Sequence, residues 1–145
     1  MKILIDDARP QRVEHALAVF PLLGVTTNPT ILRAAEPSAF ASDLARLRGL
    51  AGERDLHVQV VARDTDGMLR EARVIRRIAG ERTLVKIPTT AAGLPAITAL
   101  KAQGARVTAT AVYSTAQGLL AAAAGADYLA RSEEHTSELQ SLVII

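Results

Sequence analysis

The chain contains no cysteine and no tryptophan, and only two phenylalanines and two tyrosines. Without cysteine there are no disulfides and no thiolate metal sites, which fits a reducing compartment. With so few aromatic rings, any core must be aliphatic. An excess of one charge is also missing. The 17 Lys plus Arg against 15 Asp plus Glu leave +2, and the arginines are scattered as on a solvated surface rather than bunched into a nucleic-acid footprint. No apolar run approaches the roughly 20 residues that span a bilayer. The apolar stretch within Met1-Lys2-Ile3-Leu4-Ile5-Asp6-Asp7 is far too short for a signal peptide. The expectation is a soluble, cytoplasmic protein without nucleic-acid or membrane partners. His15, His57 and His135 show no metal-ligand spacing, and no Gly-rich phosphate fingerprint follows an apolar run. Neither a metal nor a cofactor is expected.

What the chain does have is enough apolar sequence, 49% of 145 residues, for one domain with a sizeable core. Short apolar runs alternate with longer segments of helical period, the signature of βαβ units. Strands are predicted at residues 2–6, 24–26, 56–61, 83–87 and 106–111, with a sixth beginning at Tyr128-Leu129-Ala130. Helices are predicted over about 10–20, to about 50 from a Ser38 cap, 65–79, 90–103 and 114–124. In the first, Val13, Ala16, Leu17 and Phe20 share a face; in the second, Phe40, Leu44 and Leu47 do. Gly104 stands where a helix end favours a left-handed residue. Five complete β-α units and part of a sixth satisfy a doubly wound open sheet, whereas a (β/α)8 barrel needs eight strands to close. The missing phosphate fingerprint weakens the dinucleotide-binding version of the open sheet.

Strands buried on both faces should be continuously apolar, and here most are not. The first ends in Asp6, the second in Thr26 and Thr27 before Asn28, and the third carries Gln59. The fourth sets Lys86 between Val85 and Ile87, and the fifth interleaves Thr108 and Thr110 with Val107, Ala109 and Ala111. Side chains alternate faces along a strand, so Lys86, Gln59, Thr108 and Thr110 each point away from their apolar neighbours. In a parallel barrel such groups converge on the mouth at the C-terminal ends of the strands. The bland readings are a good β-former for Thr108, a turn or cap for Asp6 and a satisfied core amide for Gln59. His57, toward the entry end of its strand, reads as structural. Lys86 resists a bland reading, because an unpaired lysine is almost never buried. Burial favours its neutral amine, which adds to a carbonyl and loses water to give an iminium. That iminium is an electron sink for breaking or forming the neighbouring carbon–carbon bond. Asp6, Gln59 and Thr110 are suited to hold the amine, substrate hydroxyls and a proton-transferring water.

Several stretches together resemble the fructose-6-phosphate aldolase branch of the transaldolase-like family. They are Leu4-Ile5-Asp6, Gly24-Val25-Thr26-Thr27-Asn28-Pro29, Val58-Gln59-Val60, Glu71-Ala72, Val85-Lys86-Ile87-Pro88, Thr110-Ala111-Val112-Tyr113, Ala116-Gln117-Gly118-Leu119-Leu120 and Gly125-Ala126-Asp127-Tyr128. The resemblance implies a (β/α)8 TIM barrel, here incomplete at about five and a half units, and a Schiff-base lysine at Lys86. Catalytic partners would be Asp6, Gln59 and Thr110, the last two holding a water. Asn28, with Thr26, would contact substrate. Gln59 stands where transaldolases tend to have Glu, which favours aldol cleavage of a ketose such as fructose 6-phosphate over dihydroxyacetone transfer. Asp7 departs from the family's usual Thr and adds a negative charge near the mouth. A homo-oligomer is implied for the full-length enzyme.

After Ala130 the family pattern would continue through a Pro-Tyr segment to an Arg. Here Arg131-Ser132-Glu133-Glu134-His135-Thr136-Ser137-Glu138-Leu139-Gln140-Ser141 reads instead as translated sequencing adapter. Residues 1–130 are therefore expected to be the N-terminal part of a barrel aldolase, and residues 131–145 a non-native tail set aside from fold reasoning. The first strand is expected to lack its closing neighbour, and the chain alone to be unstable and to have little or no activity.

Overall fold

A computed structural model describes residues 3–28, 40–131 and 142–144, the last three as backbone alone. The expected Ser38 cap and His135 lie outside the described residues. Six parallel strands lie side by side in chain order: β1 (Ile3–Asp6), β2 (Gly24–Thr26), β3 (Asp55–Gln59), β4 (Leu84–Pro88), β5 (Arg106–Val112) and β6 (Tyr128–Arg131). The described helices are α1 (Pro10–Val19), α2 (Phe40–Ala51), α3 (Thr65–Ala79), α4 (Gly93–Ala102) and α5 (Thr115–Ala123). A doubly wound sheet reverses its strand order at a switch point; this sheet never does, so right-handed crossovers leave the described helices on one side. The open-sheet alternative is excluded, and the fold is an incomplete (β/α) barrel.

Helix boundaries have local chemical causes. Pro10 opens α1 at a position where its missing N–H costs nothing. Asp64 caps α3 by accepting from the Gly67 N–H at 2.8 Å. Ser114 and Gln117 form a reciprocal capping box on α5. Gly104, after α4, takes the expected left-handed conformation, φ +72°. The helices press Val13, Leu44, Leu47, Met68, Ala72, Ile75, Ile97 and Leu100 onto Ile5, Val25, Leu56, Val58, Val85, Ile87, Val107 and Ala109. Each large aliphatic side chain buried this way stabilises the fold by ~1.5–3 kcal/mol.

The other strand parity faces the concave side, where contacts reveal the curvature. Lys86 on β4 reaches Thr26 on β2, His57 on β3 reaches Thr108 on β5, and Arg106 on β5 reaches Asp55 on β3. Each pair skips one strand. Each also lies on a diagonal, because the register sets Lys86 beside Gln59, whereas Thr26 sits beside His57, two residues lower. The offset is about one residue per strand, the stagger of a closed eight-stranded barrel. Tyr128 on β6 hydrogen-bonds Asp55 on β3 at 3.1 Å, although strands three apart in a flat sheet would be about 14 Å from each other.

Four features differ from expectation. Phe20 is 53% exposed, outside the core; it precedes Pro21, which biases its backbone to the extended conformation found there, and α1 stops at Val19. β3 ends at Gln59 rather than residue 61, because the next free N–H groups turn to a side chain on α3. Residues 90–92 form a turn before α4, in which the Thr90 hydroxyl accepts from Gly93 N–H at 3.0 Å. Finally, β7 (Leu142–Ile144), within the segment set aside, pairs antiparallel with β1. An edge strand is a template for any β-prone segment, so β1 does not lack a neighbour.

On β5 the register shifts between Ala109 and Val112, and Ala111 sits there at φ 55°. Left-handed backbone is unfavourable for alanine by ~1–2 kcal/mol. Ala111→Gly is therefore expected to raise the urea midpoint by the equivalent of about 1 kcal/mol. The same change at Ala109, an ordinary strand position, should lower it by about 0.5–1 kcal/mol. Equal losses at both positions would contradict strain at Ala111.

Candidate active site

Val85 and Ile87 are fully buried under the helices, which turns Lys86 into the barrel interior at 7% exposure. Its Nζ donates to Thr26 Oγ1 at 3.1 Å and to the Thr27 carbonyl at 3.0 Å. Both acceptors are neutral. Burial lowers the Lys86 pKa, and the charge of Asp6 opposes this only in part. Asp6 is shifted the other way. Burial raises its pKa, Lys86 pulls it down and neighbouring Asp7 pushes it up. Asp6 Oδ1 is buried with no hydrogen-bond partner among the described residues. Burial thus disfavours the charged form of each.

Asp7 adds its negative charge beside Asp6, as its departure from the family pattern leads one to expect, but that charge is paired with two arginines. It is buried, accepts from the Arg9 backbone N–H, Nε and Nη2 at 2.9, 2.9 and 2.7 Å, and lies 3.3 Å from Arg12 Nε. Burial pushes its pKa up, but the Arg9 hydrogen bonds and the two guanidinium charges hold it below the ordinary value. Asp6 is left as the carboxylate that acts on Lys86.

The barrel stagger sorts the interior side chains into layers drawn from alternate strands. Leu4, His57 and Thr108 form one, and the His57 Nδ1 to Thr108 Oγ1 distance is 2.8 Å. His57 and Thr108 are each 1% exposed, and His57 meets the Tyr128 ring edge-on; this is floor, in line with their bland readings. Thr26 and Lys86 form the layer above. Asp6, Gln59 and Thr110 fall together in the next one, nearest the mouth. Exposure follows the same order: Thr110 is at 8%, and Asp6 and Gln59 are half-buried. Asn28 is half-buried on the segment just past β2.

Three contributors escaped the sequence reading. The Thr27 carbonyl holds Lys86, and backbone carbonyls carry no sequence signal. Thr89 is buried and donates both its N–H and hydroxyl to the Thr110 carbonyl, at 2.8 and 3.0 Å, fixing Thr110 beside the β5 irregularity. Glu71 accepts from the Val61 and Ala62 N–H groups. It had a weak signal: it borders the buried stripe Met68, Ala72, Ile75 and Ala79 of α3, three residues after Met68 and four before Ile75.

Residues 3–131 match the family model described as Transaldolase/Fructose-6-phosphate aldolase. Over 131 residues the chain is 44% identical to a probable fructose-6-phosphate aldolase of Streptococcus pneumoniae (strain ATCC 700669 / Spain 23F-1). That alignment covers 90% of the chain and 59% of the relative, so the chain spans about three-fifths of the relative's length. Among solved structures, dihydrodipicolinate synthase from Rhodopseudomonas palustris is similar with a TM-score of 0.59 at 14% identity, covering 87% of this chain and 48% of that one. At that identity the likeness concerns the fold alone.

The opposite shifts of Lys86 and Asp6 give stability two distinct pH dependences. Lys86 binds its proton less tightly when folded, so unfolding free energy rises as pH climbs from its lowered value to the ordinary 10.5. Asp6 binds more tightly when folded, so stability present below the ordinary 3.8 is lost as pH rises through its raised value. Urea midpoints measured across pH should lose the alkaline rise in Lys86→Met and the acid-side loss in Asp6→Asn. Profiles unchanged by both substitutions would contradict these environments.

Proposed function

Because the chain belongs to the transaldolase/fructose-6-phosphate aldolase family, we propose that it carries a class I aldolase site whose nucleophile is Lys86. What supports this most is the buried Lys86 itself, held by neutral acceptors and shifted toward its uncharged form. The neutral Nζ attacks the ketose carbonyl carbon; the carbonyl oxygen takes up protons and leaves as water, giving an iminium. The bond between C3 and C4 then breaks. Its electrons flow into the iminium to form an enamine, and the C4 hydroxyl gives up its proton as the aldehyde departs. Protonation of the enamine at C3 and addition of water to the iminium release dihydroxyacetone and restore the amine.

Asp6 would accept from substrate hydroxyls and balance charge as Lys86 changes state, a reading that its partnerless buried Oδ1 supports. Gln59 and Thr110 would hold the water that shuttles the proton, and their common layer with Asp6 supports this. Thr26 and Asn28 would orient the substrate chain. Gln59 stands where transaldolases tend to have Glu, and that likeness favours cleavage of a ketose such as fructose 6-phosphate, to an aldehyde such as glyceraldehyde 3-phosphate, over dihydroxyacetone transfer. Transaldolase chemistry is the rival within the family.

A second reading rests on the far edge of the sheet. Tyr113, Leu119, Leu120 and Leu129 are exposed there at 56, 68, 54 and 39%. They fall on and around α5 and β6, and a surface of this kind ordinarily lies under further structure. On this reading the chain alone turns over slowly or not at all, and either binds sugar phosphate or needs a partner for full activity.

Borohydride reduction in the presence of dihydroxyacetone tests the chemistry. The expected result is one reduced adduct mapping to Lys86 and absent from Lys86→Met. No adduct in the folded protein would remove the aldolase reading. Supplying fructose 6-phosphate with and without an acceptor aldehyde then separates cleavage from transfer.

A further inference from the structure

Glu71 is half-buried at the edge of the buried stripe of α3 and forms no ion pair among the described residues, although Arg70 and Arg73 flank it on the same helix. Its carboxylate is committed to backbone. A single oxygen, Oε2, accepts from the Val61 N–H at 2.5 Å and the Ala62 N–H at 3.0 Å. These N–H groups belong to the residues at which the chain leaves the sheet. The Val60 N–H still bonds to the Lys86 carbonyl at 3.1 Å; the next two turn away and end on Glu71. The backbone that follows Gln59 is therefore held on one side by the strand of the nucleophile and on the other by α3.

That backbone is also one wall of a cleft of about 420 Å³, which Gln59 lines. Val61, Ala62 and Arg63 stand on one side of it and Pro88, Thr90 and Ala92 on the other. Val61 is 49% exposed, so little packing holds this wall in place. A charged acceptor taking two consecutive N–H groups holds such a segment far better than water does.

We propose that Glu71 is a positioning residue: by clamping the Val61 and Ala62 amides it sets the Gln59 carboxamide, and with it the water that moves the enamine proton. The proposal rests on the aldolase reading. Glu71 touches no substrate, so it should leave Schiff-base formation at Lys86 intact and impair the proton-transfer half-reaction.

The two steps can be read separately on the full chain with dihydroxyacetone as probe. Borohydride trapping reports the Schiff base, and exchange of substrate C–H for deuterium in D2O reports proton transfer. Glu71→Ala is expected to trap to the same extent per folded molecule, while exchange slows at least about tenfold, part of the ~10²–10⁴-fold that a well-positioned acid–base group contributes. Deuterium uptake at the Val61 and Ala62 amides should quicken together. Glu71→Gln, which keeps an acceptor oxygen, should recover most of the exchange. Glu71→Asp, one methylene too short, should not, and it carries the test if the alanine variant fails to fold. Exchange that merely tracks the folded fraction in all three variants would overturn the role of Glu71 alone. No trapping in the unsubstituted protein would instead sink the aldolase reading, and this proposal with it.

Discussion

A parallel sheet that curls into a barrel must stagger its strands, and in this chain the stagger decides which side chains meet. Adjacent strands bring Gln59, Lys86, Thr108 and Tyr128 into one hydrogen-bonded row. Rows, however, are not the layers of the interior. Because the sheet climbs by about one residue per strand, Lys86 meets Thr26 across β3, and Thr108 meets His57 across β4. The same diagonal gathers Asp6, Gln59 and Thr110, from three different strands, into a single layer over the amine. A flat sheet with identical registers would leave these groups apart.

Within that geometry, burial does the chemical work. Lys86 and Asp6 are both taken out of water without an ion-pair contact between them, and each is shifted toward its neutral form. Charge that would swamp this balance is kept out of the way. Arg9 and Arg12 close on Asp7, Lys101 closes on Asp127 at 2.8 Å, and Arg106 on Asp55 at 2.8 Å below the floor. An isolated buried ion pair is often no more stable than an apolar substitute. Keeping a lysine and an aspartate in this position is therefore better understood as serving chemistry than as serving stability.

Much of this was legible in the amino-acid sequence because two signals are strong. Alternation along strands assigned Lys86, Gln59 and Thr110 to the interior, and a lysine between two buried aliphatic residues had no bland explanation. The six strands follow from the alternation of short apolar runs with helical segments; the alternation alone also fits a doubly wound sheet, and the barrel order comes from the family resemblance. What was not legible depended on contacts between distant positions. Nothing local to Val61 says that its N–H will leave the ladder for Glu71, ten residues on, so β3 was drawn too long. Phe20 has the right spacing for the buried face of α1, but the following proline ends the helix first. Thr90 was read as helix when its hydroxyl makes it a turn. The pairing of β7 with β1 falls in the tail, whose adapter-like string and departure from the family pattern carry no signal for a strand on this sheet.

The central claim is that Lys86 is a buried amine whose pKa is lowered by desolvation, a shift that the Asp6 charge opposes. Its most direct test is an NMR titration of the Lys86 side chain, labelled at the carbon next to Nζ, in the native protein and in Asp6→Asn. The account predicts a pKa below the ordinary 10.5 that falls further when the Asp6 charge is removed. An ordinary value, or a pKa indifferent to Asp6, would contradict it.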